Sequence, residues 1–367
     1  MESQYTLGVP WRASGSASYM KNESFNKNQD RNTIPTLSVE EVDISTESTP
    51  RAVKSRESSS PILVTGAHRS GTTWVGRILA SAKGMAYIHE PFNCHWSRPG
   101  VRGAWCENWF KYLCEENGEE YFEYIESALR FHYVLQAELR VIRQTKSFRD
   151  VKSLARQCFL LILNRKRQLR AVVKDPVALM SSEWLERHFG MQIVVMIRHP
   201  AGFAYSLKKR GWRFNFRELL DQELLMRDML EPFRDRMELA LRSKADLMTE
   251  VGLLWSILNH VVSEYRKNHP GWIFIRHEDF ATNPLPEFKK LFAKLGMPIG
   301  VKTERVIDSL TRSSGKQRPA GATHWLERDS RALTTDWVGK LTKREISQLR
   351  NEVEPVYYEF YDDTAWK

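Results

Sequence analysis

The sequence predicts an α/β domain, a mainly parallel sheet flanked by helices in three layers, and three observations predict it. Ile62-Leu63-Val64, behind Pro61, has the apolar run of a short buried strand. It leads through a loop bracketed by Gly66 and Gly71 into residues 72–81, where Val75, Ile78 and Leu79 fall at helical spacing. Ala171-Val172-Val173 and Gln192–Ile197 are two further apolar runs, each leaving through charged residues, Lys174-Asp175 and Arg198-His199. Stretches of helical period lie between and after them, the best patterned over 247–268. Apolar strands alternating with amphipathic helices are the pattern of a parallel sheet covered on both faces.

The first strand–loop–helix unit carries the chemistry. Such a unit presents a row of backbone N–H groups to an oxyanion, and the helix dipole adds about half a positive charge at the same place. Glycine lets the chain approach the anion with no Cβ in the way. The stretch 62–74 therefore predicts a cradle for phosphate or sulfate. Gly66 and Gly71 have the spacing of the nucleotide-triphosphate loop G-x-x-x-x-G-K-[ST], so the architecture expected is P-loop-nucleotide-binding-like. Thr72, however, stands where that motif has Lys, and a basic residue comes earlier, at Arg69. No convincing acidic strand end for a magnesium site is found. A kinase or ATPase needs metal and Lys to neutralise the transferring group, so the departure counts against one.

Arg69-Ser70-Gly71-Thr72-Thr73-Trp74 resembles the phosphosulfate-binding loop of sulfotransferases, which use 3′-phosphoadenosine 5′-phosphosulfate (PAPS). The resemblance implies that the loop backbone, with Ser70, Gly71, Thr72 and Thr73, holds the 5′-phosphosulfate. It implies further that Arg69 neutralises the bridging oxygen and that Trp74 stacks on adenine. Many cytosolic members have Lys where this chain has Arg69, whereas several carbohydrate-acting and prokaryotic members have Arg. Arginine keeps the charge but gives up an ammonium proton donor, so its expected role is electrostatic.

The following elements are taken in order. Residues 84–92 form a second strand ending at Glu90-Pro91; the residue before proline is biased to extended backbone, which puts Glu90 at a strand's carboxyl end. Ligands of open α/β sheets bind at that edge. Glu90 is either a solvated loop acid or the general base that deprotonates an acceptor hydroxyl. His89 is the second candidate for that role, and related sulfotransferases place a His or a Glu after this strand. Residues 93–170 are the least family-like part. They carry an aromatic loop (Trp96, Trp105, Trp109, Phe110, Tyr112) and helical stretches over 119–143 and 151–167. An insertion here is where acceptor recognition is expected, although the aromatics have core packing as the commoner explanation. Arg140, Arg143, Lys146, Arg149, Lys152 and Arg156 recur every three or four residues, as a stripe for an anionic partner or as a solvated helix face.

Lys174-Asp175-Pro176, with Trp184-Leu185 beyond it, looks like a segment of the bacterial and protein-tyrosine sulfotransferases. It makes Lys174 a candidate for stabilising charge at the transferring group, with a structural ion pair as the alternative. The buried run 192–197 exits through Arg198-His199-Pro200 into a helix expected from Ala201, with Ser206 and Arg210 on it. In sulfotransferases a strand–Arg–x–Pro…Ser pattern grips the donor's 3′-phosphate. A guanidinium fork and a serine hydroxyl suit a phosphate dianion. After a further strand at 272–275, Arg276-His277-Glu278-Asp279 resembles the family's Tyr-Glu-Asp-Leu segment, with the acids bracing the loop or capping a helix. Lys316, Arg318 and Arg331 are candidates for a basic loop over the 3′-phosphate.

Composition bounds the reading. The 367 residues are 42% hydrophobic, enough for a large core. Residues 1–60, polar and without sustained periodicity, are expected to be a disordered tail, leaving 61–367 as the catalytic domain. The tail holds seven basic and eight acidic residues, so the remainder carries 48 and 37, a net of +11. That excess suits a polyanionic ligand; nucleic acid is not expected. No signal peptide or membrane-spanning run is legible, which favours the cytoplasm. Cys94, Cys106, Cys114 and Cys158 have no paired metal spacing, even with His89 and His95 nearby, so no metal is expected. The sequence thus predicts sulfuryl transfer from PAPS to a hydroxyl, with a saccharide favoured. A P-loop kinase and an inactive PAPS-binding protein remain as alternatives.

Overall fold

The computed structural model describes residues 60–93, 106–132, 148–311 and 330–366. Cys94, His95, Trp96, Trp105, Arg140, Arg143, Lys146, Lys316, Arg318 and residues 1–59 of the N-terminal tail lie outside the described residues.

Five strands, β1 (Ile62–Gly66), β2 (Met85–His89), β3 (Arg170–Lys174), β4 (Gln192–Ile197) and β5 (Ile273–Arg276), form one sheet in the order β2-β3-β1-β4-β5. Every pairing is parallel, with Leu63 opposite Val173 and Ile193, and Val195 opposite Phe274. Successive side chains of a strand point to opposite faces, so each apolar run feeds two cores. Leu63, Val173, Ile193 and Val195 belong to one. Ile62, Val64, Val172, Val194 and Met196 belong to the other.

The second core is closed by α1 (Thr72–Leu79), through Trp74, Val75 and Ile78, and by Phe288 and Phe292 of the helix Pro284–Lys294. The first is closed by helices α4 (Ser182–Phe189), α5 (Pro200–Lys208) and α6 (Leu247–Asn268), with the C-terminal helix Lys343–Tyr357 packed on α6. The result is the three-layer α/β architecture that the alternating pattern predicts.

Among the described residues, two helices lie between β2 and β3, α2 (Glu119–Leu129) and α3 (Phe148–Lys166). The helical reading over 119–143 holds at its start and is broken near residue 130, while residues 133–143 lie outside the described residues. α2 stops at Leu129, and Phe131 takes a left-handed φ of 53°, which a continuing helix cannot accept. Likewise α5 ends at Lys208, so Arg210 falls beyond it. Because all strands are parallel, all five carboxyl ends meet at one edge. β1 lies between β3 and β4, where the strand order switches direction, and this is the crevice position for ligands in such sheets.

Candidate active site

At that edge the loop after β1 is built by two glycines with different tasks. Gly66 has φ 122°, and a Cβ there would run into the backbone carbonyl of Met196 on β4. Gly71 caps α1 at φ 98°, where a Cβ would lie 2.7 Å from Nδ1 of His277. Between them Arg69 is also left-handed, at φ 67°, and Ser70 is fully buried, its hydroxyl donating to the Ala67 carbonyl at 2.5 Å. Thr72 is buried and Thr73 half-buried at the first turn of α1. Trp74 is buried, edge-on to His277 at 5.9 Å and to Phe288 at 5.3 Å.

The loop is tied to the exit of β4. Arg69 Nε donates to Ser206 Oγ at 3.1 Å, and Arg198 Nη1 donates to the Arg69 carbonyl at 2.8 Å. Arg198 Nη2 donates to the Leu333 carbonyl at 3.2 Å and lies 3.6 Å from Asp336 Oδ1. Buried Nε of Arg198 has no hydrogen-bond partner among the described residues. Residues nearly 130 positions apart thus form one cationic corner. Trp212 adds an aromatic face to it, with the guanidinium groups of Arg69 and Arg210 at 5.8 and 5.1 Å from its ring.

The second cluster stands at the ends of β2 and β3. The Lys174 ammonium, almost fully buried, pairs with Glu90 Oε1, and Glu90 Oε2 accepts from Asn93 Nδ2 at 2.7 Å. Glu90 does not continue the strand, as its place before Pro91 predicts. It sits at φ 48°, held in that left-handed conformation by its N–H bond to the Lys174 carbonyl and by the ion pair. His89 Nε2 lies 3.9 Å from Glu90 Oε1, while its Nδ1 faces the Tyr87 hydroxyl at 3.2 Å.

Asp175 fixes this turn from below. Its two carboxylate oxygens accept from Phe92 N at 2.7 Å and Val177 N at 3.0 Å, and its own N–H donates to the Val64 carbonyl. Burial, and then the neighbouring Glu90, push the Asp175 carboxyl up to about 7 against those two donors and Lys174.

Three histidines at the same edge were not singled out as site residues by motif or spacing. His68, inside the loop, packs against Trp109, Phe110 and Phe203, and removal from water, then Arg69, bring it down to about 3. His277 has neither ring nitrogen hydrogen-bonded among the described residues, and burial and then Arg198 hold it well below the usual range. His199 accepts from Ala201 N at Nδ1 and lies within 6 Å of Trp337, Tyr357, Tyr361 and Trp366; burial lowers it to about 3. The rule that ligands gather at strand exits points to His199 and His277. Nothing in the sequence marks His68 beyond its place in the loop.

Of the other expectations, Glu278 braces the loop: its carboxylate accepts from His199 N at 3.0 Å and from the Tyr361 hydroxyl at 2.8 Å. Asp279 pairs with Arg276. Arg331 is exposed and donates to the Thr282 carbonyl. In the aromatic loop Phe110 and Tyr112 are core residues, with Tyr112 hydrogen-bonded to Asp228 and Gln222, so packing accounts for them; Trp109 stays half-buried beside His68.

The geometry sets a glycine-bracketed loop at a helix N-terminus between a cationic corner on one side and a buried acid–ammonium pair on the other. Comparison with known proteins gives it a family. A family model described as "Sulfotransferase family" matches residues 61–300. Among solved structures, the sulfotransferase domain of the Synechococcus PCC 7002 olefin synthase is 13% identical, covering 79% of this chain and 94% of that one, at a TM-score of 0.40. Mouse sulfotransferase SULT7A1, complexed with PAP, is 13% identical over 85% of this chain and 88% of that one, at 0.38. STF1 of Mycobacterium tuberculosis is 14% identical over 81% and 76%, at 0.32. No curated protein matches the sequence. The structural likenesses are weak, and the assignment rests on the sequence match, which spans the loop, both charged exits and β5: the chain belongs to the sulfotransferase family.

Proposed function

We propose that this sulfotransferase moves the sulfuryl group of PAPS to a hydroxyl of a saccharide. The observation that carries the donor half is the corner in which Arg198 holds the Arg69 carbonyl and Arg69 donates to Ser206. It sets a cation and hydroxyl pair for a 3′-phosphate beside a row of loop N–H groups for the 5′-phosphosulfate. Ser70, Gly71, Thr72 and Thr73 line that row, and Trp74 is assigned to the adenine side. Arg69 compensates charge on the bridging oxygen as the S–O bond to the donor breaks.

On the acceptor side, Glu90 takes the proton of the attacking hydroxyl, and the Lys174 ammonium compensates the charge that builds on the sulfuryl oxygens. Fixed cations and N–H groups aimed at developing charge supply the main rate term in such transfers. His89, 3.9 Å from Glu90, is the second candidate base. The saccharide rests on the Glu90-Pro91 segment, similar to that of carbohydrate-acting members, and on Trp109 near the loop. We place the catalytic domain at 61–367, with 93–170 as its acceptor-side insertion and 1–60 as a tail. No helix among the described residues is long and apolar enough to cross a membrane, and the cytoplasm is the proposed location.

Glu90→Gln tests the base. Turnover with PAPS and a saccharide panel should fall by about 100-fold or more, with unchanged affinity for adenosine 3′,5′-bisphosphate. Wild-type turnover by this variant moves the role to His89. A loss of less than about tenfold in Lys174→Ala would reduce Lys174 to a structural partner.

A further inference from the structure

Helix α3, within the 93–170 insertion, carries a surface to which none of the donor-binding or catalytic residues named above belongs. Its inner side packs on the domain through Cys158, which is buried, and Leu161, which is half-buried against the main core. Its outer side exposes Phe159 by 63%, Leu160 by 42% and Ile162 by 44%. The other large exposed apolar residues among those described, Leu239, Val301, Val338 and Tyr358, stand singly on four separate segments. Single exposed apolar residues need no explanation; three within four positions of one helix do.

The same stretch is strongly basic. Residues 148–170 contain seven Arg and Lys against one acid, Asp150. Arg156, Arg165, Lys166 and Arg167 are exposed, and none of the four is in an ion pair among the described residues. The spacing of basic residues noted in the sequence therefore runs onto a helix face that is also apolar. A solvated face accounts for the charges but not for Phe159, Leu160 and Ile162. A soluble polyanion rewards the charges and gains nothing from the apolar side chains. An anionic bilayer rewards both: apolar groups enter the headgroup boundary while Arg and Lys meet lipid phosphates. Arg156 and the cluster 165–167 interrupt the apolar run, so the helix lies on such a surface and does not span it.

We infer that the outer face of α3 is a peripheral docking site for an anionic phospholipid surface, with Phe159, Leu160 and Ile162 as the apolar contacts and Arg156, Lys166 and, just past the helix end, Arg167 as the charged ones. This is independent of the donor and acceptor assignments.

The test is co-sedimentation of the full chain with phosphatidylcholine vesicles with and without phosphatidylglycerol, at physiological salt, with free heparin as competitor. The wild type should bind the anionic vesicles and not the neutral ones. Each basic residue near such a surface is worth about fivefold, so Lys166→Gln with Arg167→Gln should weaken binding by about 30-fold. Phe159→Ser with Ile162→Ser should weaken it as clearly while thermal unfolding stays close to wild type, because both side chains are largely exposed. Absence of binding to anionic vesicles overturns the inference. So does binding that falls with the charge pair alone and is equally blocked by heparin, which would make the face a polyanion site. So does a dimer in solution that Phe159→Ser dissociates, which would make it a contact between two copies.

Discussion

Asp175 offers a prediction whose magnitude follows from its surroundings. Its side chain is fully buried, and burial with Glu90 raises the carboxyl from 3.8 to about 7. The folded state therefore binds a proton that the unfolded state releases between those values. The corresponding stability is fully present below about pH 4 and is lost as the pH rises through about 7. Each pH unit in that window costs about 1.4 kcal/mol, and from about pH 5 to about pH 8.5 the total is about 2.7 kcal/mol. His68 and His199, both lowered to about 3, act in the opposite sense and are lost on acidification below about 6.5. The quantity to follow is thus the difference between the wild type and Asp175→Asn in urea unfolding across that range. Asparagine accepts from one of the two N–H groups of Phe92 and Val177 but not from both, so the variant is less stable throughout. Its deficit should shrink by about 2.7 kcal/mol toward alkaline pH, because the amide does not titrate. A deficit independent of pH would refute the reasoning and show that Asp175 stays ionised on its two N–H donors.

Gly66→Ala should destabilise the fold by more than about 3 kcal/mol, since its Cβ meets the Met196 carbonyl at a φ of 122°; urea unfolding checks this, and wild-type stability would mean β1 and β4 can part there. Asp336→Asn should raise the affinity for adenosine 3′,5′-bisphosphate by about fivefold, because the carboxylate 3.6 Å from Arg198 Nη2 competes with an incoming phosphate. Calorimetry reads the change, and a fall in affinity would make Asp336 an orienting partner of Arg198.

How much was legible follows from which signals are local. The strands expected at 62–64, 192–197 and 272–275 were, each within two residues of β1, β4 and β5, because a continuous apolar run has few other uses, and the three-layer sheet follows from their alternation with helices. The loop was legible because a left-handed turn beside an opposing strand needs glycine at Gly66 and Gly71. Arg69, Ser206 and Arg198 could be placed at one edge by strand polarity, but their mutual hydrogen bonds depend on β4 lying next to β1, which no local pattern encodes. Glu90 was located and its backbone misread, because a tertiary ion pair with Lys174 outweighs the local bias before proline. Asp175 could be placed at the edge, but its grip on Phe92 joins residues 83 positions apart. His68 is a single residue whose meaning comes from burial alone.

The central claim is that this edge holds a 3′,5′-bisphosphorylated adenosine. Thermal unfolding with adenosine 3′,5′-bisphosphate, ATP with magnesium, and 5′-AMP tests it most directly. At about 100 times its Kd a ligand adds about 2.7 kcal/mol, and the account predicts that gain for the bisphosphate alone, abolished by Arg198→Ala. Stabilisation by ATP with magnesium in its place, or by none of the three, would contradict it.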